Sequence, residues 1–159
     1  MGISGPGKGD QAAVDVAAPA AALPGSHGVQ QAAVGLTEGE VTMNRELLGT
    51  LPYFLDDEET AILVCVGQVP VDKSLTLEPA AIVLTDRFLR IIREPDDLST
   101  AISIDYRAHP DLRLTSARGF LADSLAIEWQ GAVAVQVSDV SKNGRNLEPA
   151  LLELLETAP

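Results

Sequence analysis

Sulfur, aromatic rings and imidazoles are all scarce in this chain, which has one cysteine, one tryptophan, two tyrosines, three phenylalanines and two histidines among 159 residues. A single cysteine makes no intramolecular disulfide, which excludes the stapled frameworks of small secreted domains and points to a reducing compartment, the cytoplasm. Cys65 sits in the apolar run 61–66 with no cation beside it in sequence, so it reads as a small core side chain and not as a nucleophile. His27, His109 and Cys65 are scattered and compose no zinc ligand set, and no nucleophile, base and orienting group converge. No cofactor, metal or catalysis is therefore expected. Long apolar runs are missing too. None approaches the roughly 20 residues of a membrane-spanning helix, and Asp10, Asp15 and Pro19 break the Ala-rich region that would otherwise imitate a signal peptide. Pro6 stands where a myristoylation motif requires Ser or Thr.

Cations are the other shortage. Eleven Lys and Arg face 23 Asp and Glu, a formal net charge of −12. Nucleic-acid affinity comes chiefly from phosphate neutralisation, so an acidic chain without a basic run is not expected to bind DNA or RNA. Adsorption to anionic membranes is disfavoured for the same reason. The local exception is Arg87, Arg90, Arg93, Arg107 and Arg113, with Arg118 further along. Their ordinary role is pairing at strand ends with Asp86, Glu94, Asp96, Asp97 and Asp105. Gathered on one surface, they would instead make an anion-binding site and a route to peripheral attachment to anionic lipid. The dense run Asp56, Asp57, Glu58 and Glu59 predicts a solvated loop ahead of a strand, and no calcium-loop spacing is present.

Composition divides the chain. Residues 1–40 are dominated by Ala, Gly, Pro, Gln and Ser and contain no aromatic residue, which predicts a disordered tail unable to offset its own chain entropy. Residues 41–159 are expected to form one domain. Met43, Leu47, Leu48 and Leu51 recur at helical spacing up to Pro52, predicting a lead-in helix over 42–52 capped by Thr42. Strands are predicted over 61–68, 80–85, 88–93, 101–106, 112–116, 124–129 and 132–137. Several alternate cleanly, as where Leu125, Ile127 and Trp129 oppose Ala126 and Glu128. Gln130-Gly131 and Thr85-Asp86-Arg87 read as hairpin turns. The period then changes, and Leu147, Leu151, Leu154 and Leu155 define the apolar stripe of a helix over 146–157, capped by Asn146, that plugs the sheet's open end.

Two short motifs fail on context. Residues 2–9 nearly spell a phosphate-binding loop, but Gly9 replaces the magnesium-binding hydroxyl and no strand can precede residue 2. His109-Pro110-Asp111 matches the J-domain tripeptide, yet it stands between strand-like runs and not between helices, so it reads as a turn.

Ala81-Ile82-Val83-Leu84-Thr85-Asp86-Arg87-Phe88-Leu89-Arg90-Ile91-Ile92, with its strand, Leu-Thr-Asp-Arg turn and second strand, resembles the bacterial pleckstrin-homology-like (PH-like) domains. The lead-in Leu55-Asp56-Asp57-Glu58-Glu59 is similar to theirs as well. The resemblance covers about residues 51–157. It implies a mainly β fold, a seven-stranded bent barrel capped by a C-terminal helix. It also implies a non-enzymatic binding or scaffolding module in a bacterial cytoplasm. Superfamily members that hold inositol phosphates do so with Lys and Arg around the first hairpin loop, where residues 69–78 offer only Lys73 against Asp72 and Glu78. A protein or peptide lying along a sheet edge or groove is therefore the expected partner. Peripheral lipid binding and a place in a larger assembly are the alternatives.

Overall fold

A computed structural model describes residues 27–71 and 76–157. The phosphate-loop-like residues 2–9 and Lys73 lie outside the described residues, as does most of the expected tail. Seven antiparallel strands, β1 Ala61–Pro70, β2 Leu77–Thr85, β3 Leu89–Ile92, β4 Ile102–Ile104, β5 Arg113–Ala117, β6 Asp123–Trp129 and β7 Ala132–Val140, form one sheet in the order β4-β3-β2-β1-β7-β6-β5. A C-terminal helix, Leu147–Glu156, follows a 3-10 turn at Lys142–Asn146. This is the arrangement that the PH-like resemblance implies. The expected strands are all present. β1, β2 and β7 run longer than alternation indicated, because Val69, the 77–79 segment and the 138–140 segment continue the pairing through polar or proline-containing sequence.

The inner face of the sheet carries Cys65, Ile82, Leu84, Leu89, Ile91, Ile104, Leu125, Ile127 and Val137, all buried, and the C-terminal helix closes over them with Leu147 and Leu151. Leu154 packs against this core from the next turn, while Leu155 is 39% exposed, so the plug is a three-leucine stripe and not the expected four. Asn146 makes no side-chain capping bond, because the chain enters this helix from a 3-10 turn that already uses the first amides.

The opposite face of β1–β3 is buried as well, and here the expected tail is corrected. Residues 29–41 are not outside the domain. Helix α1 Val29–Ala32, α2 Glu38–Met43 and α3 Arg45–Thr50, with a 3-10 turn at Leu51–Phe54, lie over Val64, Val66, Ala81, Val83 and Ile92. We number the C-terminal helix α4. Val29, Ala32, Ala33, Leu36 and Val41 supply the contact from the segment whose composition suggested disorder. The lead-in helix over 42–52 is corrected in the same region. Asn44 interrupts it, with its side-chain amide donating to the Glu40 carbonyl at 2.8 Å. The N-cap is Thr37, not Thr42: its hydroxyl accepts from the Glu40 amide while the Glu40 carboxylate accepts from the Thr37 amide, a reciprocal capping box. Met43 leaves the stripe and is 80% exposed.

Both expected hairpins form. Gln130 and Gly131 take φ of 60° and 77° between the paired Trp129 and Ala132, the left-handed pair that a two-residue turn requires. Thr85 organises the β2–β3 turn, its hydroxyl accepting from the amides of Arg87 and Phe88. The β1–β7 seam is registered at Gln68 and Ser138, and side chains extend it. The Ser141 hydroxyl accepts from the Val66 backbone amide and donates to the Asn143 side-chain oxygen Oδ1, while the Asn143 side-chain nitrogen Nδ2 donates to the Val64 backbone carbonyl at 2.7 Å. Gly67 lets the strands approach, since a Cβ there would stand 2.5 Å from Val137 Cγ1.

Candidate functional site

The five arginines singled out by the sequence are not gathered on one surface. Arg90 is buried in β3, and its guanidinium grips Glu59 through two bonds, Nε to Oε2 at 2.9 Å and Nη2 to Oε1 at 2.6 Å. A third bond goes to the Ser103 hydroxyl at 2.7 Å. Glu59 is thus no part of a solvated loop. It is 1% exposed and also accepts from the Thr85 hydroxyl and the Asp56 amide. Burial pushes its carboxyl upward, but the bonds from Arg90, Thr85 and Asp56 outweigh that and hold it below the usual range. Arg93 pairs with Glu78 at 3.5 Å. Arg107 lies against the Tyr106 ring and donates to the Asp86 carbonyl at 2.9 Å and, more weakly, to the Leu154 carbonyl in the last turn of α4. Arg87 is exposed in the β2–β3 turn, and Arg113 is exposed on β5 at the far end of the sheet. Three of the five therefore serve the fold's own carboxylates and carbonyls. None of the expected pairings with Glu94, Asp96, Asp97 or Asp105 side chains forms, because the carboxylates beside Arg90 and Arg93 come from elsewhere, Glu59 and Asp56 from the loop before β1 and Glu78 from β2.

Cys65 is buried, and burial pushes its thiol up to about 12, in keeping with a core role. His109 and Asp111 stand in the turn between β4 and β5, where the Asp111 carboxylate accepts a short bond from the Gln130 amide.

What the fold leaves open is an edge. β5 pairs with β6 on one side and ends the sheet on the other. Beside it runs a groove of about 410 Å³ between β5 and the start of α4, with Leu114 as its apolar lining and Thr115, Ser116, Arg118, Arg145, Glu148 and Pro149 around it. Arg145 is engaged with Asp123, Nε to Oδ2 at 2.7 Å, and this bond, foremost, holds the Asp123 carboxyl below its usual range. Among the described residues Arg113 and Arg118 form no close ion pair, although Arg118 lies near enough to Asp123 to help hold its carboxyl down, so the edge presents strand backbone flanked by two exposed cations. A second cleft, of about 350 Å³, opens between the α2–α3 junction and the ends of β2 and β3. Met43, Leu47 and Pro79 line it together with Glu46, Glu94, Asp96 and the Arg93–Glu78 pair. Neither depression is lined by His109.

No protein-family model matches the chain, and no curated protein matches it. Among solved structures it is similar to the Vps36 N-terminal PH domain, 22% identical, with a match covering 64% of this chain and 83% of that one at a TM-score of 0.45. A likeness at that level carries nothing about ligands, and the architecture rests on the strand order and capping helix described above. Among the described residues no helix is long and apolar enough to cross a membrane.

Proposed function

We propose that this chain is a non-enzymatic binding module that takes up an extended protein segment along the edge of β5, in the groove against α4. The observation that carries the reading is the open edge of Arg113–Ala117 beside a groove of about 410 Å³ with an apolar lining at Leu114. An added strand would gain main-chain hydrogen bonds from the edge and place alternate side chains in the groove. Arg113 and Arg118 favour a segment carrying carboxylates, whereas the net charge of −12 opposes nucleic acid and anionic membranes. A cytoplasmic, bacterial setting belongs to the same proposal and rests on the single, buried Cys65 and the family resemblance. The test is selection of binders from a library of extended acidic peptides, followed by hydrogen exchange on the complex. Slowed exchange at the amides of 113–117, and a roughly tenfold loss of affinity in Arg118→Glu, are expected. Binders that protect other strands, or that are indifferent to Arg118, would overturn the assignment.

A further inference from the structure

The β5–β6 hairpin ends in residues 118–122, where Phe120 is 101% and Leu121 91% exposed, the two most exposed large apolar side chains among the described residues. The turn is held in place. A Cβ on Gly119 would stand 2.1 Å from the Ala122 carbonyl oxygen, so the backbone doubles back at van der Waals limits there. At its base, Asp123 accepts from the Gly119 amide and from Arg145. A tip fixed by its own backbone presents the Phe–Leu pair at little further entropic cost, and Arg118 flanks it without an ion pair. Nearer the other edge of the sheet, the α2–α3 cleft has a complementary make-up, lined by apolar Met43, Leu47 and Pro79 and by Glu46, Glu94 and Asp96, while its arginine, Arg93, is already paired with Glu78.

We propose that the Phe120 and Leu121 tip of one copy seats in the Met43, Leu47 and Pro79 cleft of a second copy, with Arg118 of the first facing Glu94 and Asp96 of the second. Tip and cleft belong to different strands of the sheet, β5–β6 and β2–β3, so the contact is head to tail. A heterologous contact of this kind propagates into open chains of molecules rather than closing as a dimer. The interface is small, so association is weak and falls with salt. An anionic bilayer is the other surface that takes an apolar tip beside arginines, and the chain's charge of −12 opposes it. The contact shares Arg118 with the β5 groove, so Phe120→Asp and Glu94→Arg, at residues that do not line that groove, are the variants that separate it from the peptide reading.

The test is sedimentation velocity on the full chain from about 10 μM to about 1 mM, the range of weak contacts. The average mass is expected to climb without a dimer plateau. Phe120→Asp should weaken association about tenfold or more. Arg118→Glu and Glu94→Arg should each abolish self-association, because each sets like charges across the contact. Mixed in equal amounts, they should associate again, since each copy's tip then meets an oppositely charged cleft. Unchanged urea midpoints would confirm that these substitutions, at exposed Arg118 and Phe120 and half-buried Glu94, leave the fold intact. A wild-type chain that stays monomeric at the highest concentration overturns the proposal, as does a mixture that fails to regain mass. Retention of the monomeric wild type on anionic vesicles, lost in Phe120→Asp, would overturn it in favour of the bilayer.

Discussion

Replacing Arg90 with methionine tests the interior of this domain most severely. Glu59 is 1% exposed, and Arg90 supplies two of its four hydrogen bonds, at 2.9 and 2.6 Å. The Thr85 hydroxyl and the Asp56 amide supply the others. Arg90→Met preserves most of the side-chain length but leaves a buried carboxylate without its cation, which costs about 3–5 kcal/mol. With a urea dependence of about 2 kcal/mol per molar, the midpoint should fall by about 2 M. The double variant Glu59→Leu/Arg90→Met removes both charges and should recover most of that loss, since Thr85 can turn its hydroxyl to the Phe88 carbonyl, 3.1 Å away, and the exposed Asp56 segment can hydrate its amide.

The same pair sets an acid response of definite sign. In the wild type the Glu59 carboxyl is held below its usual range, so its contribution is present at neutral pH and is lost only as pH falls beneath the ordinary glutamate range and through that depressed value. In Arg90→Met the burial that pushes the carboxyl upward is no longer outweighed by the guanidinium. The folded variant therefore takes up a proton at higher pH than its unfolded chain, and its deficit against wild type shrinks on acidification. Urea titrations at pH 7 and at about pH 4.5 measure both effects. A deficit under about 1 kcal/mol at pH 7, a deficit that does not change with pH, or a double variant no better than the single one would each refute the account.

Two further perturbations address the covering helices and the seam. A chain beginning at Val41 loses Val29, Ala32, Ala33 and Leu36 from the outer face of β1–β3, a gross loss of about 4–7 kcal/mol that is partly offset by the chain entropy released. Compared with a chain beginning at His27, it should unfold at lower urea and bind more of a hydrophobic dye; equal midpoints would mean that the helices contribute nothing. Gly67→Ala places a methyl 2.5 Å from Val137 Cγ1 and 3.0 Å from the Ser138 carbonyl oxygen, so it should destabilise by about 1–3 kcal/mol in urea unfolding, and a neutral result would show that the β1–β7 seam yields freely.

The strands of the β5–β7 half were legible because one face is wet and the residues alternate, as at Leu125, Ile127 and Trp129. The other half carried a different message. Ala61–Pro70 opens on an almost unbroken apolar run, and Leu89–Ile92 is apolar but for Arg90, the pattern of strands buried on both faces. Such strands require a cover, and Val29, Ala32, Ala33 and Leu36 fall at i, i+3, i+4 and i+7, a helical stripe hidden by Ala- and Gly-rich composition. Thr37 and Glu40 spell the capping box outright. Arg90 inside an apolar strand likewise signalled a buried carboxylate, but neither charge nor periodicity names Glu59, which lies 31 positions away. The β5 groove was beyond reach for a related reason. Leu114 and Arg118 come to line it only once the strand order puts β5 at an edge and α4 beside it.

The asymmetry of cover also bears on where a partner can act. On the outer face of β1–β3, a ligand would have to displace helices whose apolar side chains are already buried in the sheet, and the gross loss would match a large share of the 5–15 kcal/mol that holds an ordinary domain together. At β4 the edge is only Ile102–Ile104, a short strand whose middle serine already accepts from Arg90. β5 offers five residues of strand whose pairing with β6 leaves the other side open, a groove beside them and, among the described residues, two arginines without ion pairs. The energetic cost of reaching each surface, more than the chemistry of any single side chain, is what favours β5 for an incoming strand.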